Sequence, residues 1–528
     1  MKLNRIIAIV LSAVMLTACG AEQSVPATQD STAAQGTVAT QEKTGLDVQA
    51  VQIVLSDEGV KVDGQSATGE SAAVYTANDI VYYEEGKDFT YGEGSQKDAH
   101  TAQEAAAHTV VHITKPGTYS LSGKLSHGQI AVDLGKNAKE DASAVVTLIL
   151  NGADITSTVA PAVIFYNVYE CGNKDTPRKD VDTSAAGANV IIADGTENTV
   201  NGSYVERIYK PGTVELNEKG TKVKAAEKLH KYDAAFYSKM SMNISGGGVL
   251  NIHAENEGLD SELHLTINGG NIHIFSGNDG INTNEDGVSV TTINGGKVNI
   301  QVTGQTGEGD GIDSNGWLVI NGGEVFAAAC AFSADAGIDS DMGIHINGGT
   351  VIATGSMLDR LEDGGQTYAV FSMNSKQKGT DTLTLKDEGG NVVMEYCADN
   401  DWSTLVYSSP DLKPGSYTLW LGEQQLSGQG GGFGGGRHPG GMGSGKGEKP
   451  ENGQPPRIPG EGGKPEDFTM PEGVRPDGER PEGMTPPEGM TPPEGGFGRP
   501  DAAGDGQSTS QFVIQQGANM FAGIAPME

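Results

Sequence analysis

The chain has 528 residues and a formal net charge of −34, with 69 Asp plus Glu against 35 Lys plus Arg. So acidic a protein will not coat nucleic acid or hold an anionic membrane through basic patches, and no nucleic-acid partner is expected. Gly makes up 77 of the residues, about 15% against the usual ~7%, without a Gly-X-Y period; collagen is excluded and repeats or low-complexity sequence must supply the excess.

Lys2 and Arg5 precede the apolar run Ile6 to Leu16, which is too short to span a bilayer and reads as a secretory signal. Leu16-Thr17-Ala18-Cys19 resembles the bacterial lipobox, implying cleavage before Cys19 and lipidation of its thiol; a plain signal with an incidental Cys is the alternative. Residues 1–18 are thus expected to be a lipoprotein signal peptide. Residues 19–48, rich in Ala, Gln, Ser and Thr, read as a flexible tether. Acyl chains would place the protein on the extracellular face of a bacterial membrane. Cys171, Cys330 and Cys397 remain, an odd number that leaves at least one thiol unpaired, and no CxxC or Cys/His spacing suggests zinc. Residues 49–104 are expected to be an N-terminal β cap or first pairing strands.

The middle of the chain repeats one phrase: Ile244-Ser245-Gly246-Gly247, Ile267-Asn268-Gly269-Gly270, Ile293-Asn294-Gly295-Gly296, Ile320-Asn321-Gly322-Gly323 and Ile346-Asn347-Gly348-Gly349. Apolar or small pairs follow four copies in alternation, as in Ile272/Ile274, Val298/Ile300, Val325/Ala327 and Val351/Ala353. Period-2 alternation marks short strands with one buried face, and Asn-Gly-Gly supplies a corner. Units of this size bury an apolar face only by stacking. The expected fold class is therefore all-β, a right-handed parallel β-helix over residues 105–358. The aligned Asn residues would form a ladder at one corner, with sugar contact as their lesser role. Segments 172–187 and 203–230 read as excursions.

Between the corners lies an acidic phrase: Glu257-Gly258-Leu259-Asp260-Ser261-Glu262, Asp279-Gly280-Ile281-Asn282-Thr283-Asn284, Asp310-Gly311-Ile312-Asp313-Ser314-Asn315, and Asp335-Ala336-Gly337-Ile338-Asp339-Ser340-Asp341. From Ser241 to Ser356 there are 14 Asp plus Glu and one base, Lys297. Stacking brings equivalent carboxylates about 4.8 Å apart, where two like charges repel by roughly 1 kcal/mol in water and ~3 kcal/mol at an effective dielectric of 20. A ladder of them calls for cations. Calcium, a hard ion taking several oxygens, fits that spacing; the alternative is a solvated acidic face with Asp-Gly turns. The candidate ligands are Glu257, Asp260, Glu262, Asp279, Asn282, Asp310, Asp313, Asp335, Asp339 and Asp341. Trp317, beside one acidic phrase, is the candidate for stacking on a glycan, with a core role as its alternative.

The run Asp233-Ala234-Ala235-Phe236-Tyr237-Ser238-Lys239, the alternating Ile-Asn-Gly-Gly and Asp-Gly-Ile-Asp-Ser phrases, and Ile113-Thr114-Lys115-Pro116-Gly117-Thr118-Tyr119-Ser120-Leu121-Ser122-Gly123 together resemble a family of bacterial, mainly clostridial, surface carbohydrate-binding β-helix proteins, over about residues 51–425. The resemblance implies a pectate-lyase-like fold, bound Ca2+, and binding of cellulose and acidic plant polysaccharides without a demonstrated general activity. The departure is at Asn282 and Asn284, where amides replace carboxylates and a weaker or shared ion site is expected. The function expected is polysaccharide binding by a monomeric, lipid-anchored surface protein with no catalytic residues. A calcium-dependent lyase or glycoside hydrolase is the alternative, and an adhesin or scaffold a further one. A lyase needs a base, and the acidic repeats hold only Lys297, with Lys239 and Arg360 flanking.

After the repeats, alternating segments in 359–426 predict a small C-terminal β cap. Fourteen of the 22 Pro fall between Pro439 and Pro500, so 427–506 reads as a disordered Gly/Pro-rich insertion. Residues 507–528, with Phe512-Val513-Ile514, are expected to supply a last cap strand; a disordered tail is the alternative.

Overall fold

The computed structural model describes residues 50–431, apart from 68, 70 and 71, and residues 508–527. The signal, Cys19, the tether and most of the Gly/Pro-rich stretch lie outside the described residues.

Alternation in the repeats becomes burial. In Asn271–Ser276 the side chains of Ile272, Ile274 and Ser276 are buried while Asn271, His273 and Phe275 are half-buried or exposed. Parallel pairing with Lys297–Val302, Glu324–Ala328 and Thr350–Gly355 places Ile272, Val298, Val325 and Val351 at one register position, and Ile274, Ile300, Ala327 and Ala353 at another. A second parallel ladder joins Met242–Gly246, His264–Ile267, Val290–Ile293, Trp317–Ile320 and Gly343–Ile346. The inward side chains of both ladders belong to one continuous apolar core. No single unit could bury that face alone. Ile300→Ala should therefore cost about 2–5 kcal/mol, read as a lower denaturant midpoint with an unchanged slope.

The corner between the ladders needs glycine. Gly323 has φ +82°, a left-handed value that disfavours other residues, and a Cβ there would stand 2.7 Å from the Gly296 carbonyl oxygen. Beside it, the Nδ2 groups of Asn294, Asn321 and Asn347 donate to the Oδ1 atoms of Asn268, Asn294 and Asn321 at 2.9, 2.8 and 2.8 Å.

The acidic phrases lie on a third ladder, in a separate eight-stranded sheet. Its strands Val163–Asn167, Ala234–Ser238, Glu257–Ser261, Ile281–Thr283 and Ile312–Ser314 pair in parallel.

The expected right-handed parallel β-helix with a small separate cap is corrected by the sheet topology. The chain is all-β, but its main sheet has 25 strands and mixes parallel with antiparallel pairing. Thr350–Gly355 ends the parallel series by taking Trp402–Ser408 as an antiparallel neighbour, with Val351 opposite Ser408 and Gly355 opposite Thr404. Tyr368–Gln377 then pairs antiparallel with Trp402–Ser408 and parallel with Ala518–Pro526. Phe512–Ile514 pairs antiparallel with Gly415–Leu421. The strands placed in a cap thus extend the main sheet, although part of their apolar surface forms a cluster of its own around Phe371, Trp402, Phe512 and Phe521. The reason is physical: alternation marks a strand and its buried face, but Val351 and Ala353 accept a partner running in either direction equally well.

Candidate functional site

Strand register gathers the acidic phrases into two columns. Asp260, Asn282 and Asp313 occupy equivalent positions on successive strands, with Tyr237 before them, and Asp339 follows, its backbone N–H donating to the Ile312 carbonyl at 2.7 Å. The second column runs through Glu257, Asp279 and Asp310. It is laced to the main chain: the N–H of Asp310 donates to Asp279 Oδ1 at 2.7 Å, and that of Ala336 to Asp310 Oδ1 at 2.6 Å. Asp335 Oδ2 accepts the N–H of Gly309 at 2.9 Å.

The upstream end of the columns is the more enclosed. Asp260 is fully buried and Glu257 is 6% exposed. Asn282 Nδ2 donates to Glu257 Oε1 at 3.1 Å and Asn284 Nδ2 to Asp260 Oδ1 at 2.6 Å. Their second carboxylate oxygens, Glu257 Oε2 and Asp260 Oδ2, and the amide oxygen Oδ1 of Asn282 are buried with no hydrogen-bond partner. Such orphaned acceptors are costly. Three of them, all oxygen, form a donor set suited to a hard cation. Glu262 is half-buried and accepts the Tyr237 hydroxyl.

The electrostatics match the geometry. Burial, then the charges of Asp313, Glu257 and Asp310, push Asp279 well above the usual carboxylate range. Burial and Glu257 do the same to Asp260. Burial raises Asp310 to about 8, with Asp313, Asp335 and Asp359 contributing against the hydrogen bond from Ala336. Asp339 rises to about 9 through burial, the charges of Asp310, Asp359 and Asp313, and a hydrogen bond with Asp359. Carboxyls so arranged hold protons at neutral pH unless a cation replaces them.

Along the sequence the acidic repeats hold Lys297, with Lys239 and Arg360 flanking, and the structure supplies further bases. The excursion after Gly202 folds back on itself, Val205 bridging to Tyr232 and Tyr209 to Lys228, and brings cations against the upstream acids. Lys231 Nζ donates to Asn284 Oδ1. Arg207 pairs with Asp233 at 3.4 Å and with Glu93 at 3.7 Å. A cleft of about 1160 Å3 is lined by both groups, by Arg207, Lys231 and Lys239 and by Glu257, Glu262 and Asp313. Downstream the balance differs. Lys297 pairs with Glu324 at 3.5 Å and Arg360 with Glu362 at 2.6 Å.

A family model described as carbohydrate-binding domain-containing protein matches residues 107–381, more than half of the chain and all of the columns. The chain belongs to the carbohydrate-binding domain-containing family. A carbohydrate-binding domain-containing protein of Acetivibrio thermocellus is 28% identical over 165 residues, 31% of this chain and 44% of that relative, so the match spans less than half of the relative's length. A solved polysaccharide lyase-like protein from C. thermocellum, a gadolinium derivative, is 20% identical and aligns over 59% of this chain and 94% of its own at a TM-score of 0.33.

Within this family member the expected site residues separate into groups. Glu257, Asp260, Asp279, Asn282, Asp310, Asp313 and Asp339 lie along the two columns. Glu262 and Asp335 flank them, and Asp341 is exposed, its N–H donating to the Ser314 carbonyl at 3.1 Å. Trp317 is half-buried and opens a strand of the other sheet, at the register position of Val290 and Gly343; the columns and Trp317 thus lie in different sheets. Among the described residues no three His, Cys, Asp or Glu side chains converge tightly enough to hold an ion alone. An ion there would also draw on amide and main-chain oxygens, of which Asn282 Oδ1 is the one left unpartnered in the columns. Lys231, Arg207, Tyr237 and Asp359 escaped the sequence reading. The lysines just before Asp233 mark a basic segment, but nothing in the sequence places Lys231 or Arg207 against the acids.

Proposed function

We propose that this protein binds plant-type polysaccharide, acidic pectin-like chains or cellulose, at the acidic columns, and that Ca2+ is the ion that makes them competent. The single observation behind the reading is the column itself. Buried oxygens of Glu257, Asp260 and Asn282 have no partner, and Asp279, Asp310 and Asp339 are pushed far above their ordinary range, which is a donor set built for a cation. Glu257, Asp260, Asn282, Asp279, Asp310 and Asp339 would hold the calcium ion, which would supply positive charge attracting the carboxylates of an acidic glycan. The side chains of this protein orient that ion, and the cationic wall at Arg207 and Lys239 adds attraction for an acidic chain. Anchoring through Cys19 would hold the protein on the outer membrane face, where such polymers are met.

The test is calorimetric titration with oligogalacturonate and with cello-oligosaccharide, each with calcium and with EDTA. Binding of the acidic oligomer should weaken at least roughly tenfold, about 1.4 kcal/mol, when calcium is removed; equal affinity in EDTA rejects the calcium role. Lys231 and Arg207 place bases opposite the acids, the feature that favours the lyase alternative. Steady accumulation of unsaturated uronate in the same mixtures, followed by ultraviolet absorbance, would replace binding by elimination.

A further inference from the structure

The two ends of the columns solve the same problem of charge in different ways. Downstream, Asp279, Asp310, Asp313 and Asp339 face one another, and the neighbouring bases Lys297 and Arg360 are engaged with Glu324 and Glu362. Upstream, Asn282 stands where the other three phrases carry Asp, and Asn284 where two of them carry Glu262 and Asp341, and a lysine is delivered from outside the repeat. Lys231 lies three residues before the strand Ala234–Ser238, whose Tyr237 is the register partner of Asp260. It is held there by a closed excursion, with the Val205 N–H donating to the Tyr232 carbonyl at 2.9 Å and the Leu229 N–H to the Ile208 carbonyl at 2.9 Å. Its ammonium binds Asn284 Oδ1, and the same amide donates to Asp260 Oδ1. One tethered positive charge thus stands beside Asp260 and Glu257, whose second carboxylate oxygens are, like Asn282 Oδ1, buried without a partner.

We propose that Lys231 is a built-in competitor for the metal: through Asn284 it compensates Asp260 and Glu257, and so keeps the upstream end of the columns from taking a divalent ion tightly. The inference rests on the calcium reading of the columns. A divalent ion at the unpartnered oxygens would face the ammonium one amide away, and like charges so close repel even in water. The segment 203–232 thereby sets how many ions the protein holds. Lys231 is a positioning residue here, acting through Asn284.

Lys231→Gln and Lys231→Arg would be titrated with calcium alone by calorimetry, and melted in EDTA and in calcium. Lys231→Gln should bind one more calcium ion than the wild type, or tighten its weakest site by roughly tenfold or more, while Lys231→Arg keeps the wild-type behaviour. Lys231→Gln should also melt lower than the wild type in EDTA and recover in calcium; a lysine that only braces the fold would give a loss that calcium does not repair. Unchanged ion number and affinity in Lys231→Gln overturns the inference while leaving the calcium reading intact. If the wild type takes up no calcium and Lys231→Gln does, the calcium reading of the native protein falls and the inference stands. Uptake by neither overturns both.

Discussion

Metal-free protein should lose thermal stability as pH rises from about 5 to 9, and saturating calcium should abolish the trend. Asp310 and Asp339 titrate at about 8 and about 9 in the folded chain, against ~3.9 for an unperturbed Asp. Above about pH 4 the unfolded chain has released these protons while the folded chain still holds them. Stability contributed by the protonated pairs is therefore complete below the unfolded value and is lost as pH climbs through the folded values. Calcium binds the ionised form, so its affinity should grow over the same window as protons are displaced. Melting followed by circular dichroism at several pH values, in EDTA and in calcium, checks this. A flat profile in EDTA, or a decline that calcium leaves untouched, rejects the account of the columns.

The second large effect has opposite signs in the two metal states. Asp313→Asn combined with Asp339→Asn removes the Asp313 charge, which raises Asp279, Asp310 and Asp339, and above about pH 9 the charge of Asp339 itself, so under alkaline conditions the double variant should melt higher than the wild type in EDTA. Relief of one like-charge pair at strand spacing is about 3 kcal/mol at an effective dielectric of 20. In calcium the order reverses, because the variant has lost two anionic ligands; affinity for calcium should fall by roughly a hundredfold or more, and oligogalacturonate binding should fall with it. A variant less stable than the wild type in both conditions would mean that Asp313 and Asp339 serve only the fold. Single variants would then show which of the two is responsible.

Much of this arrangement was legible in the residues, and each failure has a physical cause. Ile272, Val298, Val325 and Val351 announce their stacking because the repeat fixes both their spacing and their burial, and the Asn268 to Asn347 series announces its ladder in the same way. The pairing direction of Thr350–Gly355 was not legible, since a buried Val and Ala alternate identically beside a parallel or an antiparallel neighbour. Lys231 and Arg207 were invisible for another reason. They sit in a segment without periodicity, and only the closure of residues 203–232 brings Arg207 to Asp233, 26 residues on, and Lys231 to Asn284, 53 residues on. Asp359 joined the cluster from beyond the last repeat phrase, where no motif marked it. Charge compensation is a property of space, and a count along the chain misses any cation that arrives by way of a loop.

The antiparallel partner that Trp402–Ser408 offers to Thr350–Gly355 has a consequence for how the protein behaves at high concentration. A stack of parallel strands ordinarily finishes in a row of bare amide and carbonyl groups, a template onto which another copy could add and grow a fibre. Here the chain consumes that row itself at this ladder, with the last rung already hydrogen-bonded from Val351 to Gly355, so Thr350–Gly355 offers no bare edge from which end-to-end polymerisation could start.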